Sequence, residues 1–270
     1  MRRPGAGFSR FFIALHQGLF KAQGLTVNFV PATSSETAIA RQVAGQYDIT
    51  AGNYVSYIQA QQAGEANLDI FAEGSVMEAG AQTLFTMPDS PVKTLAELKG
   101  KTVAINAPNI LYLLAASVLA EHGIAPKEVK FVSSPEPFAS MAEQQDGASP
   151  LADLNQGATT SFPVEGYVVT KQWAQKYPHT LAAFYRALEQ GQQIADNDRA
   201  AVENAMEALP KPLAVSADTA GLMSLDEYPV STGGVGDVDQ ISLQRVVDVM
   251  QQFIGFDPSF KVSTMLMGGR

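Results

Sequence analysis

"TSSETAIARQVAGQYDITAGNYVSYIQAQQAG", residues 33–64, holds two kinds of structure in one run. Thr33, Ser34 and Ser35 stand where a helix N-cap belongs, and the segment after them has helical spacing. Gly45 supplies a turn, and a short strand follows into "AGN". "YVSYIQAQQAG" then returns to helix. A strand caught between two helices within 32 residues argues for an α/β chain with mostly parallel sheets.

The flanks repeat that alternation. "FFIALHQGLFKAQGL" places Phe12, Leu15, Leu19 and Phe20 at helical spacing, and Gly24 suits the left-handed position that ends a helix. "LTVNFV" reads as the strand after it, and "LDIFAEGS" as the strand after the central run. "TLFTMP" ends a strand at Pro88, and Thr94 with Glu97 has the spacing of a capping box. "TVAIN", a helix closed by Gly123 and "VKFV" complete a second stretch of the same kind. From "FPVEGYVVTKQW" onward one strand is followed almost wholly by helices, with Pro178 at a helix start, where its missing N–H costs nothing.

Composition bounds the function. The 270 residues are 46% hydrophobic, enough for sizeable cores, and the net charge is −9 from 27 acidic against 18 basic residues. Lys and Arg nowhere cluster with aromatics, so nucleic acid is not an expected partner. Cysteine is absent, which removes disulfides, thiolate nucleophiles and Cys-based metal sites. His16, His122 and His179 lie far apart without partners at ligand spacing, so neither a metal nor another cofactor is expected. No run approaches the ~18 apolar residues of a membrane span. "MRRPGAGFSRFFIAL" reads as mature protein, because "HQGLF" follows where a small-residue cleavage site would stand. If the protein is exported, its signal lies outside this sequence. "GGVGD" near residues 233–237 follows no strand and reads as a loop.

Taken in order, "ALHQGLFKAQGLTVNFV", "AGQYDITAGNYVSYIQAQQAG", "LAELKGKTVAINAP", "EPFASM" and "GYVVTKQWAQKYPHTLAAFYRAL" resemble the solute-binding proteins of ABC importers for aliphatic sulfonates, nitrate and thiamine precursors. The resemblance implies a two-lobed type II periplasmic-binding-protein fold, ligand held in a cleft between the lobes, and closure reported to a membrane permease. It places lobe I at residues 1–86 plus 165–270 and lobe II at 87–164. It also implies a periplasmic or extracytoplasmic location, with or without a lipid anchor, and a monomer.

Two departures from the family pattern stand out. Members begin with a strand before the first helix, whose end loop supplies part of the pocket; here only "MRRPGAGFS" precedes "RFFIAL". Members also carry a helix and a strand, roughly 20 residues by ordinary element lengths, between the equivalents of "KFV" and "EPF". In "KEVKFVSSPEPFAS", residues 127–140, that unit is missing. The second lobe is therefore expected to be short by one βα unit near residue 132, with a thinner core and an unpaired strand edge.

Ligand-binding candidates follow from residue type and position. Thr33, Ser34 and Ser35 bring hydroxyls and free N–H groups to a helix N-terminus, although the same groups serve equally as that helix's own cap. Asn53 and Tyr54 end a strand, where open α/β sheets bind ligands, and Ser75 ends the next one. Asn106 and Asn109 form the matching loop of the second lobe. Glu136 and Phe138 begin the "EPF" helix. Arg10, beside Phe11, and Arg41 are the arginines near these segments, while Glu165, like Glu136, suits a cation, so the sign of the ligand stays open. Tyr112 and Tyr167 are lesser aromatic candidates.

The leading reading is a non-catalytic receptor for a small polar ligand: a sulfonate, a nitrate-like anion or a thiamine-precursor-like heterocycle. A second is an enzyme akin to thiamine-pyrimidine synthases, which the lack of cysteine disfavours. A third is a truncated receptor that no longer binds.

Overall fold

The computed structural model describes residues 9–77, 79–105, 109–133, 147–208 and 238–267. The chain divides into two compact units. Unit 1 comprises Met1–Val76, Val164–Gln244 and Lys261–Arg270; unit 2 comprises Met77–Pro163 and Arg245–Phe260.

Unit 1 starts with α1 (Ser9–His16) and α2 (Leu19–Ala22). The sequence pattern runs through both as one helix, but Gly18 sits at φ 72° and breaks them apart. Gly24 takes its expected left-handed conformation at φ 77°. Next come α3 (Ser35–Val43), β1 (Ile49–Asn53), α4 (Tyr54–Gln62) and β2 (Leu68–Val76). "LTVNFV" corrects the strand expectation, since residues 25–32 form no strand. Their alternating pattern records which side chains are covered, and a strand needs in addition a partner for its backbone.

Later in the chain β7 (Pro163–Thr170) lies between β1 and β2 in a three-stranded sheet, running antiparallel to β1 with Asn53 opposite Glu165. Helices α6 (Lys171–Lys176), α7 (Pro178–Ala195) and α8 (Arg199–Glu207) follow. The core joins both ends of the chain. Phe11 and Phe12 of α1 and Phe20 of α2 pack on Phe184 and Leu188 of α7 and on Phe71 of β2. The Phe20 and Phe184 rings stand 4.8 Å apart. Gly191 of α7 lets the Arg10 carbonyl approach, since a Cβ there would strike it.

Unit 2 holds β3 (Thr83–Thr86), β4 (Thr102–Ile105), α5 (Ile110–Glu121), β5 (Lys130–Ser133) and β6 (Ser149–Asp153). The Thr94 and Glu97 capping box forms as read, on a 3₁₀ turn at Leu95–Leu98. β3 pairs antiparallel with β6 around a register shift between Leu84 and Phe85, and β4 pairs parallel with β5. Mostly parallel sheets therefore do not form among the described residues. Of the three registered pairings only β4 with β5 is parallel, because β6 and β7 return directly alongside earlier strands. An apolar cluster of Val92, Leu98, Leu119, Ile124 and Val129 fills this unit. A cavity of about 450 Å³ lies between β3 and β4. A later helix, α9, spans Gln240–Ile254. The join after β5, where a missing βα unit was expected, lies outside the described residues, as does "GGVGD".

Candidate functional site

Unit 1 gathers polar side chains where β1 ends and two helices begin. Ser34 caps α3, its Oγ accepting from the Thr37 N–H at 3.1 Å. Ser35, 4% exposed, turns inward, and its Oγ accepts from both the Asn53 N–H at 3.1 Å and the Asn53 Nδ2 at 3.0 Å. Asn53 in turn caps α4, its Oδ1 accepting from the Ser56 N–H at 2.9 Å. The Ser56 hydroxyl lies 2.7 Å from Glu36 Oε1, so α3 and α4 are tied together. This chain of bonds fixes two helix N-termini at the carboxyl end of one strand.

Glycines make the closeness possible. A Cβ on Gly52 would fall 2.6 Å from Ser35 Oγ, and one on Gly74 would fall 2.6 Å from the Glu165 carbonyl oxygen. A Cβ on Gly166 would enter the Tyr54 ring. Any side chain at these three positions would push apart the residues that converge there.

Two charges are sunk beside this cluster. Glu165 is 9% exposed on β7, and Arg10 is 1% exposed on α1, its guanidinium 5.0 Å over the Tyr167 ring. Arg10 Nε and Nη2 have no hydrogen-bond partner among the described residues. Burial pushes the Tyr54 phenol well above its ordinary pKa; the Glu73 carboxylate adds to the rise and the Arg10 cation opposes it.

A cavity of about 440 Å³ opens onto the cluster. Ser34, Ser35, Gly52 and Glu165 line one end, and Asp48, Trp173 and Thr180 the other, with Phe11, Phe12, Phe29 and Tyr167 between. That volume lies within the range of small-molecule sites.

Unit 1 thus brings together Phe11, Ser34, Ser35 and Glu165 around the cavity. Asn53 and Tyr54 lie behind its wall, both 1% exposed, and Arg10 is buried against Tyr167. Thr33 is exposed and bonds to Thr37 of its own helix, and Ser75 is half-buried on β2. Asn109 belongs to unit 2, where it caps α5 by accepting from the Ile110 N–H at 2.7 Å. Asn106, Glu136 and Phe138 lie outside the described residues. Sequence reasoning missed Phe29, Asp48 and Trp173 as lining residues. Apolar residues in a strand-like or helical pattern read as core, and the Trp173 Nε1–H donation to Asp48 Oδ1 at 2.8 Å spans 125 residues.

A family model described as NMT1/THI5 like matches residues 6–153. No curated protein matches the chain. Among solved structures, the alkanesulfonate-binding protein SsuA from Xanthomonas axonopodis pv. citri, bound to MOPS, superposes with a TM-score of 0.76 at 17% identity, covering 97% of this chain and 98% of that one. The Candida albicans CA3427 gene product, described as having the generic periplasmic binding protein fold, gives 0.73 at 16% identity over 97% and 93%. The desulfurization enzyme DSZB gives 0.65 at 15% identity over 93% and 90%. The fold is the periplasmic-binding-protein fold, and both binding proteins and an enzyme share it.

Proposed function

We propose that this chain, which belongs to the NMT1/THI5-like family, is the extracytoplasmic solute-binding component of an ABC importer. It captures a small polar solute such as a sulfonate, a nitrate-like anion or a thiamine-precursor-like heterocycle, and delivers it to a membrane permease. The observation that carries this reading is the convergence of Ser34, Ser35, Asn53 and Glu165 at the carboxyl end of β1, beside a cavity of about 440 Å³. In open α/β sheets that end of a strand is where ligands bind. Helix N-termini and hydroxyls there suit a ligand's oxygens, and Glu165 suits an N–H or a cationic group.

The chain works as a receptor through binding alone. A thiolate mechanism is closed to it, since it contains no cysteine. Binding of solute to the folded state raises stability by mass action, about 2.7 kcal/mol at 100 times the dissociation constant. A thermal-shift panel of alkanesulfonates, nitrate, bicarbonate, thiamine-precursor heterocycles and aromatic acids tests the proposal. At least one compound is expected to raise the unfolding midpoint; a folded protein whose midpoint none of them moves would contradict it.

A further inference from the structure

The cavity beside β1 carries charge of one sign. Of the described residues that line it, the charged ones are both acids, Asp48 and Glu165, and none is Lys, Arg or His. Two arginines come close, yet each is held against a tyrosine of the wall. Arg10 stacks on Tyr167, its guanidinium 5.0 Å from the ring centre, and Arg41 donates to the Tyr47 hydroxyl at 2.6 Å. Neither arginine lines the cavity, and Arg10 is 1% exposed.

The two acids stand at opposite ends. Asp48 immediately precedes β1, and Glu165 lies opposite Asn53 at the strand's other end, about 17 Å off at five residues of strand rise. Asp48 is exposed and bound to Trp173, so water and salt screen its charge. Glu165 is 9% exposed, and a charge in so dry a place acts more strongly on what comes near it. It also interacts within the fold, and a carboxylate has acceptor sites enough for that and for a solute. Between the acids lie the rings of Phe12, Phe29, Tyr167 and Trp173, whose faces cover an apolar body and attract a cation.

Groups that would suit an anion at the Glu165 end are already engaged. Ser34 Oγ accepts from the Thr37 N–H and Ser35 Oγ from Asn53, while Glu36 sets a carboxylate in the first turn of α3. An anion arriving there would join two carboxylates, and a cation would offset them.

We infer that the solute is an organic cation, a protonated amine or quaternary nitrogen on a compact apolar or aromatic body, with its charge against Glu165 and its body along the rings. The receptor reading above is the premise, and the sign of the solute is what is added to it.

Thermal shift on the whole chain tests the sign with pairs that share one body: butylammonium against butanesulfonate, and benzylammonium or benzyltrimethylammonium against phenylmethanesulfonate. At least one ammonium ion is expected to raise the unfolding midpoint where its sulfonate partner leaves it unmoved. Calorimetric titration of that ion is then expected to show binding at least tenfold weaker in Glu165→Gln. Unchanged affinity in a folded Glu165→Gln, or a larger loss in Asp48→Asn, overturns the placement of the charge. A sulfonate that raises the midpoint as much as its ammonium partner, or more, overturns the sign and leaves the receptor reading standing. A midpoint that no compound of either sign moves overturns both. The paired comparison is made on wild type, so it decides the sign even where a variant fails to fold.

Discussion

Ser35 Oγ accepts two hydrogen bonds from Asn53, at 3.1 Å from the backbone N–H and 3.0 Å from Nδ2. One hydroxyl thereby holds the first turn of α3 against the last residue of β1, in a place where both residues are all but hidden from water. Ser35→Ala leaves two buried donors unmatched, and each unmatched donor costs roughly 1–3 kcal/mol. The expected loss is about 2 kcal/mol or more, read as a lowered denaturant midpoint with an unchanged slope. A loss below about 0.5 kcal/mol would show that the two bonds do not hold the site.

Gly166 is expected to tolerate no side chain. Its Cβ would enter the ring of Tyr54, which is 1% exposed and has nowhere to go. Gly166→Ala should destabilise by about 1–3 kcal/mol through overpacking. Thermal unfolding of this variant beside wild type checks the figure.

The Tyr54 phenol gives the protein an alkaline weakness. Burial raises its folded pKa above the ordinary value, so between the two values the unfolded chain has lost a proton that the folded one keeps. Its contribution is fully present below about pH 10 and falls as pH climbs, by about 1.4 kcal/mol per pH unit. Stability measured from pH 8 to 11 should fall less steeply for Tyr54→Phe than for wild type. Equal slopes would refute the assignment.

The sole tryptophan offers a reporter. Trp173 lines the cavity and donates to Asp48, so a solute that reaches this end should change its fluorescence, and Trp173→Phe should silence the change without abolishing the thermal shift. A fluorescence change that survives in Trp173→Phe would have to arise elsewhere.

What could be read beforehand was local. The Ser34 cap, the Thr94 and Glu97 capping box and the left-handed Gly24 and Gly123 each depend on a few consecutive residues, and each was legible. Long-range matters were not. "LTVNFV" alternates like a strand, yet what it lacks is a neighbour, which no window of sequence displays. β6 went unread because "SPLAD" is short and holds a proline, and β3, some 66 residues earlier, makes it a strand. In the site, Ser35, Asn53 and Glu165 were named from residue type and position, whereas their mutual geometry depends on β7 returning antiparallel beside β1. That return also defeated the expectation of mostly parallel sheets.

The receptor account is tested most directly by calorimetric titration of a solute that shifts the unfolding midpoint, carried out on wild type and on Glu165→Gln, which keeps shape and removes charge. The account predicts one site per chain in wild type and a dissociation constant at least tenfold different in the variant, weaker for a solute that brings an N–H or a cationic group to Glu165 and tighter for an anionic one. Equal affinities in the two proteins, or no saturable heat in wild type, would contradict it.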